Sequence, residues 1–231
     1  MARNIQGIVE EQIARWRAES RSRPHTNEPP AEPPTAIVFS HALGSYGVAI
    51  ALQVGRQLSI PVYDREILEH IASHARVQLA TVETLDERAQ GIVDDYLTSI
   101  FRESGFDHSD YMSGLGRVVA ALWQHGSCVM VGHGCVHLVP RSHALAVRTT
   151  APVEERVRRL ALVADLDPIE ARRRVTSTDT ERAAFHKQRF GIDVEDIRSY
   201  DIILDTQYLD ILGSAAVIAH AYEQRFGAHR P

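Results

Sequence analysis

Ala36-Ile-Val-Phe-Ser-His-Ala-Leu-Gly-Ser-Tyr-Gly47 is the stretch on which the reading of this chain turns. Ala36 to Ser40 is a short apolar, β-branched run of the kind found in strands buried on both faces. It passes directly into a turn holding Gly44 and Gly47, after which Val48, Ala51, Leu52, Gly55 and Leu58 recur at helical spacing. A glycine-bearing loop entering a helix N-terminus offers backbone N–H groups and the positive end of the helix dipole to an anion. The loop is not a Walker A match, which needs Gly-Lys-Ser/Thr where this chain has Gly47-Val48-Ala49. Glycines that merely shape a tight strand-to-helix turn would leave the same residues, so the loop alone leaves both readings open.

Outward from that stretch, strands and helices alternate. Pro61-Val-Tyr63 is a brief strand, and Asp64 is placed to cap a helix carrying Ile67, Leu68 and Ile71. A long helical stretch with weak breaks covers Thr81 to Phe101, and a polar loop runs from Gly105 to Ser113. Leu115 to Gln124 is helical and stops at Gly126; Cys128–Val131, Ala144–Val147 and Tyr200–Asp205 are strands. Pro152 opens an arginine-rich helix, Val153 to Ala164, and Leu209 to Phe226 closes the chain. The alternation predicts a three-layer α/β domain with a parallel sheet, whose ligands bind at the carboxyl ends of the strands. Those ends are the Ser40 to Gly47 turn, Gly132-His-Gly134 and the segment after Asp205.

Ahead of this domain, Ile5, Ile8, Val9, Ile13 and Trp16 form the stripe of one amphipathic helix, followed by Pro24, Pro29, Pro30, Pro33 and Pro34 among polar residues. The chain therefore divides into residues 1–34, a helix with a Pro-rich linker, and 35–231, the main domain. Docking of the helix on its own domain and homodimerisation through it are equally compatible with the stripe.

The 231 residues carry 25 basic against 30 acidic side chains, net −5, which argues against a nucleic-acid-coating role but allows a local basic pocket. Only one of the 25 is a lysine, Lys187. The two cysteines make no disulfide framework, the first 30 residues lack the apolar core of a signal peptide, and no apolar run is long enough to span a bilayer. The expectation is a cytoplasmic protein with no membrane or nucleic-acid partner. His125, Cys128, His133, Cys135, His137 and His143 lie close in sequence, but their spacing fits no recognised zinc pattern, so no metal site is assigned. Between Pro168 and Asp193, Arg172, Arg173, Arg174, Arg182, Lys187 and Arg189 concentrate charge on a helical hairpin. Arg174, Asp179, Arg182 and Arg189 either converge over phosphates or lie on a solvated face paired with Glu170 and Glu181.

Together these blocks resemble the cytidylate kinase-like family of P-loop nucleoside monophosphate kinases. Ser40-His-Ala-Leu-Gly-Ser-Tyr-Gly-Val-Ala-Ile50 is similar to that family's Ser-Arg-x-x-Gly-Ser-Gly-Gly-Arg-x-Ile, and Ile60-Pro-Val-Tyr-Asp-Arg-Glu-Ile-Leu68 to its Ile-Pro-Phe-Tyr-Asp-Lys-Glu-Ile-Leu. Gly126-Ser-Cys-Val-Met-Val-Gly-His-Gly134 resembles Gly-Pro-Cys-Val-Ile-Val-Gly-Arg-Gly. Asp179-Thr-Glu-Arg182 with Phe185-His-Lys-Gln-Arg-Phe-Gly191 resembles the lid, and Tyr200 to Thr206 the last strand.

The resemblance implies a P-loop fold with a helical lid, ATP and Mg²⁺, and phosphoryl transfer to CMP or a similar small acceptor. By position it assigns Ser40, Gly44, Ser45, Tyr46, Gly47 and Thr206 to the ATP site, and Asp64, His133 and Asp179 to the acceptor. Arg182, Arg174, Arg189 and Lys187 become the candidate catalytic cations. The departures are His41 and Val48 for loop cations, Tyr46 for a glycine, and His133 for the arginine of Gly-Arg-Gly. Phosphoryl transfer depends on positioning and positive charge, so these losses must be compensated, by lid cations or by His41 or His133 protonated beside a phosphate. The alternative is a catalytically inactive nucleotide-binding or regulatory relative.

Overall fold

The computed structural model describes residues 4–22, 34–103 and 109–227. Strand β1 (Ala36–His41) lies at the centre of a five-stranded sheet, with Ala36 to Ser40 all buried. β3 (Cys128–Val131) and β4 (Ala144–Thr150) flank it, and the short β2 (Val62–Tyr63) and β5 (Ile202–Asp205) form the edges. All pairings are parallel, in the order β2-β3-β1-β4-β5, with Ala36 level with both Cys128 and Ala144. That common register aligns the carboxyl ends of β1, β3 and β4, the edge where the three sequence-predicted turns meet.

Parallel neighbours require crossovers, and these supply the outer layers. Helices α2 (Gly47–Leu58) and α10 (Ile211–Tyr222) cover one face, where Ile37 and Phe39 pack with Ile50, Val54 and Ile218. Helices α3 (Arg65–Ser73), α6 (Asp110–His125) and α7 (Cys135–Leu138) cover the other, where Ala36 and Val38 pack with Leu68, Leu115 and Leu138. The strict alternation along β1 explains its sequence: with a core on each face, neither set of positions is free to be polar. Burying each of its large side chains contributes about 1.5–3 kcal/mol.

The remaining helices refine the sequence boundaries. The Thr81 to Phe101 stretch divides into α4 (Ala75–Glu83) and α5 (Glu87–Glu103), with the break at 84–86. Part of the expected Gly105 to Ser113 loop is helical: Ser109 accepts from the Met112 N–H and starts α6 at Asp110. The remainder, 104–108, lies outside the described residues. The charged segment is not itself a hairpin. It forms one continuous helix, α9 (Pro168–Phe190), because Asp167 caps its start, Pro168 fits the first turn, and the first left-handed residue is Gly191. Its hairpin partner is α8 (Val153–Ala164), held through Val157, Ala171 and Val175.

The N-terminal helix α1 (Ile5–Ser22) docks on its own domain. Val9, Ile13 and Trp16 are buried in the α3/α6 core, and the Trp16 ring stacks on His125 at 3.9 Å. Of the apolar stripe a homodimer would use, Val9, Ile13 and Trp16 are thus already covered, while Ile8 stays exposed. The Pro-rich segment lies in 23–33, outside the described residues. Among the described residues no helix is long and apolar enough to cross a membrane.

Candidate active site

The loop between β1 and α2 is held from below. Ser45 Oγ donates to Ala42 O at 2.8 Å and shares a hydrogen bond with Thr149 Oγ1 at 2.9 Å, and the Ala42 N–H donates to Thr149 O at 2.9 Å. Gly44 sits at φ +83°, and a Cβ there would meet the Arg156 carbonyl oxygen at 2.7 Å. Gly47 is required for a different reason: its Cβ would lie 2.3 Å from the His41 Cβ. Tyr46 adopts a left-handed conformation at the N-cap, and no side chain caps the first turn of α2. The first-turn N–H groups therefore get no bond from the N-cap side chain, the arrangement that either an anion loop or a plain tight turn requires. Val48 points outward and brings no charge.

Three buried arginines that the sequence reading passed over stand around the loop, each paired with a carboxylate, Arg159 with Glu155 at 2.8 Å. Arg148 on β4 donates to Ser40 Oγ at 3.0 Å and pairs with Glu195. Arg156 on α8 donates to Leu43 O and Ala151 O, and holds Asp179 with two bonds of 3.1 and 2.9 Å. Arg159 lies over the Tyr46 ring at 4.3 Å from its centroid. It also donates to Gly44 O and to both oxygens of Thr206, joining the loop to the end of β5. Two signals were there to be read. Arg148 follows the apolar run Ala144 to Val147 inside a strand, and Arg156 and Arg159, three apart, border the apolar face of α8.

Beside the loop lies a cavity of about 350 Å³, lined among others by Ser40, His41, Arg65, Glu69, Tyr111 and Arg182. His133, at φ 49°, forms one wall; its Nδ1 is 3.1 Å from the Tyr111 hydroxyl and its Nε2 3.7 Å from Glu69. Arg182 reaches down from α9 to the His41 carbonyl and lies 3.2 Å from His41 Nε2. Burial, reinforced by Arg182, Arg148 and Arg65, depresses the His41 pKa to about 3. Burial and then Arg65 lower that of His133 against the pull of Glu69. Without an anion in the cavity both histidines are held toward the neutral form. The charge rests on guanidiniums: Arg182 is brought down to about 10, chiefly by burial and then by Arg65, Arg148 and Arg156 against the opposing Asp179. It stays charged at neutral pH in a neighbourhood rich in positive charge.

The candidate residues separate clearly. Ser40, His133 and Arg182 line the cavity, and Gly44, Ser45, Tyr46 and Gly47 form the adjoining loop. Thr206 is buried under Arg159 at the neighbouring strand end. Asp64 is buried at the start of α3, where its Oδ1 accepts from the Ile67 N–H at 3.2 Å. Asp179 does not line the cavity, because Arg156 takes both its oxygens. Arg189 shares a face of α9 with Arg182 but lies two turns on, donating to Ser109 Oγ at 3.2 Å. Arg174 is a solvated pair with Glu170 at 3.1 Å, and Lys187 is exposed. Neither lines the cavity.

The histidine and cysteine cluster resolves into separate uses. His125 stacks on Trp16, His137 Nε2 lies 3.1 Å from His186 Nδ1, and burial raises the thiol pKa of Cys135 to about 12. No group of three or more His, Cys, Asp or Glu side chains among the described residues is arranged to hold a metal ion.

Comparison with known proteins agrees with this fold. A 67-residue stretch is 34% identical to a cytidylate kinase from Methanopyrus kandleri, covering 29% of this chain and 35% of that relative's length. The crystal structure of an uncharacterized protein from Eubacterium ventriosum shares the fold, with a TM-score of 0.65 over 82% of this chain and 98% of the other, at 17% identity. The sequence pattern of the cytidylate kinase-like family matches residues 36–208, from the first residue of β1 to just past Thr206. With that match spanning most of its length, the chain belongs to the cytidylate kinase-like family.

Proposed function

We propose that this protein is a small-molecule kinase that moves the γ-phosphoryl group of ATP to CMP or an acceptor of similar size. The triphosphate lies over residues 42–47 and the acceptor in the cavity under α9. The observation that carries this reading is Arg182, lowered from α9 onto the carboxyl end of β1 beside the uncapped loop, with Arg65 on the same cavity and Arg148 behind Ser40. Such a collection of guanidiniums suits two sets of phosphate oxygens that must approach each other.

In this reading the N–H groups of Gly44, Tyr46 and Gly47 serve the triphosphate, the Ser45 N–H being donated to Ala42 O at 3.1 Å within the loop, with Ser40 at the loop entry and Thr206 bordering the nucleoside. Asp64 fixes the start of α3 and so aims Arg65 at the acceptor, and His133 is a neutral hydrogen-bonding wall. Transfer breaks the bond from the γ-phosphorus to the bridging oxygen of ADP and forms one to an acceptor phosphate oxygen. A phosphate monoester is already ionised near neutral pH, its second pKa being about 6, so no proton has to be removed. Histidines as weakly basic as His41 are therefore no obstacle: the step needs alignment and positive charge.

Nucleotide phosphates fit the loop, but a loop-held Mg²⁺ does not. The first turn of α2 reads Gly47-Val48-Ala49-Ile50, with no hydroxyl or carboxylate, and the Ser45 hydroxyl is committed to Ala42 and Thr149. The chain supplies no Mg²⁺ ligand at this point, and the charge assigned to transfer here is that of its arginines. The inactive-relative reading rested on the cations missing at His41, Val48 and His133, and the buried arginines weaken that argument. Purified protein with ATP, Mg²⁺ and CMP is expected to form ADP and CDP. Arg182→Ala is expected to lower kcat at least ~100-fold, equivalent to about 2.7 kcal/mol of transition-state stabilisation. ADP formation no faster than in buffer across all common nucleoside monophosphates would refute the kinase reading, and nucleotide binding without turnover would favour the inactive relative.

A further inference from the structure

Resting on the kinase reading, we propose that Arg148 is a catalytic cation delivered by the sheet in place of the one missing from the loop, and that Glu195 is its built-in counter-anion, displaced when phosphate arrives. Three observations support this. First, Arg148 is level with Ser40 in the parallel register of β4 and β1, so the two side chains rise on the same face of the sheet, and Ser40 lines the cavity. The 3.0 Å bond from Arg148 to Ser40 Oγ places the guanidinium directly behind that wall.

Second, the two members of the ion pair are held very differently. The Arg148 side chain is 7% exposed, whereas that of Glu195 is 70% exposed. The guanidinium also lies over the Tyr200 ring, 5.7 Å from its centroid. The cation is thus fixed by the core and the anion reaches in from solvent. Returning an exposed carboxylate to water costs little, whereas leaving a buried guanidinium without an anion is costly. Exchange of one oxyanion for another is the low-cost route, and a phosphoryl oxygen is the anion the kinase reading brings to this place. Third, Glu195 belongs to the segment that follows Gly191, the C-cap of α9. Its release would loosen the tail of the same helix that carries Arg182, linking phosphate arrival to lid position.

The test measures binding of inorganic pyrophosphate and of ATP by calorimetry, together with kcat and KM, for wild type, Glu195→Gln, Arg148→Lys and the double variant. Glu195→Gln removes the internal competitor and is expected to tighten pyrophosphate binding about tenfold. Arg148→Lys, which keeps the charge but loses the two-pronged geometry, is expected to lower kcat at least tenfold with a smaller change in KM. In the double variant the gain from Glu195→Gln should disappear. A purely structural ion pair would lower the unfolding midpoint in each variant and leave pyrophosphate affinity unchanged, which would overturn the proposal. Should Arg148→Lys fail to fold, the exposed Glu195→Gln still decides, since unchanged or weaker binding in it is fatal. Absence of pyrophosphate binding in both wild type and Glu195→Gln is equally fatal. Wild type that binds pyrophosphate but transfers no phosphoryl group refutes the kinase reading instead, and the affinity ratio of Glu195→Gln to wild type still decides this one.

Discussion

At the scale of single residues, the buried histidines make a prediction of definite sign. His41 titrates at about 3, and His137 and His186 at about 4, all lowered chiefly by burial. An unfolded histidine titrates near 6.5, so between that value and the folded ones the unfolded chain binds more protons. The stability these groups contribute is complete above about pH 6.5 and falls as pH drops toward 4, by up to ~1.4 kcal/mol per pH unit for each fully coupled site. Urea midpoints at pH 7.5 and 5.0 check this. The pH 5.0 midpoint should be clearly lower, and replacing His41 by Gln should flatten the difference; equal midpoints in the wild type would exclude buried neutral histidines. The same scale shows where residue-by-residue reading reaches its limit. Asp179 and Arg182 came together in the sequence only through the lid segment of the family resemblance. Nothing in that segment showed that Arg156, on another helix, would take the aspartate while Arg182 turned to His41.

At the scale of elements, α8 and α9 act as one hairpin whose grip on the loop is the Arg156–Asp179 pair. Arg156 is buried and also donates to the Leu43 carbonyl, so the pair joins lid and loop. Asp179→Asn is expected to lower stability by about 1–2 kcal/mol, less than for a fully buried pair because the aspartate side chain is partly exposed. Chemical denaturation measures this. An unchanged midpoint combined with a raised KM for the acceptor would return Asp179 to the acceptor-binding role suggested by the family resemblance. Element existence was largely legible, because 3.6-residue periodicity and caps such as Asp64 and Asp167 are local. Boundaries were less so: Ser109 as a cap places about one turn of helix, 110–113, where composition read as loop, and only the break at 84–86 separates α4 from α5.

At the scale of the whole molecule, α1 is built into the core of the domain. Trp16 is 5% exposed and stacked on His125 at the end of α6, and Thr84 Oγ1 is in turn 3.0 Å from His125 Nε2. Trp16→Ala is expected to cost about 3 kcal/mol, as for a large aromatic lost from a packed site, and to leave the protein monomeric if it was so before. Thermal unfolding with sedimentation separates the outcomes. A loss of dimer without loss of stability would instead place the helix at an interface.

What the sequence determined by itself is whatever local periodicity and composition can encode: the buried strand β1, its glycine loop, the alternation that makes the sheet parallel, and through the family resemblance the order of the whole fold. It also located the Ser40 to Gly47 loop, the Gly132-His133-Gly134 turn and the segment after Asp205 at the strand ends, and through the family resemblance it placed Arg182 in the lid. What only the tertiary structure decided is the source of the positive charge. Arg148, Arg156 and Arg159 read as ordinary residues of a strand and a charged helix, and they reach the site through the register of β4 on β1 and the packing of α8. The lone lysine, conspicuous in the sequence, is exposed on α9 and does not line the cavity. The reason is physical: an electrostatic field sums over distances in space, and residues far apart along the chain contribute to it only once the fold has brought them together.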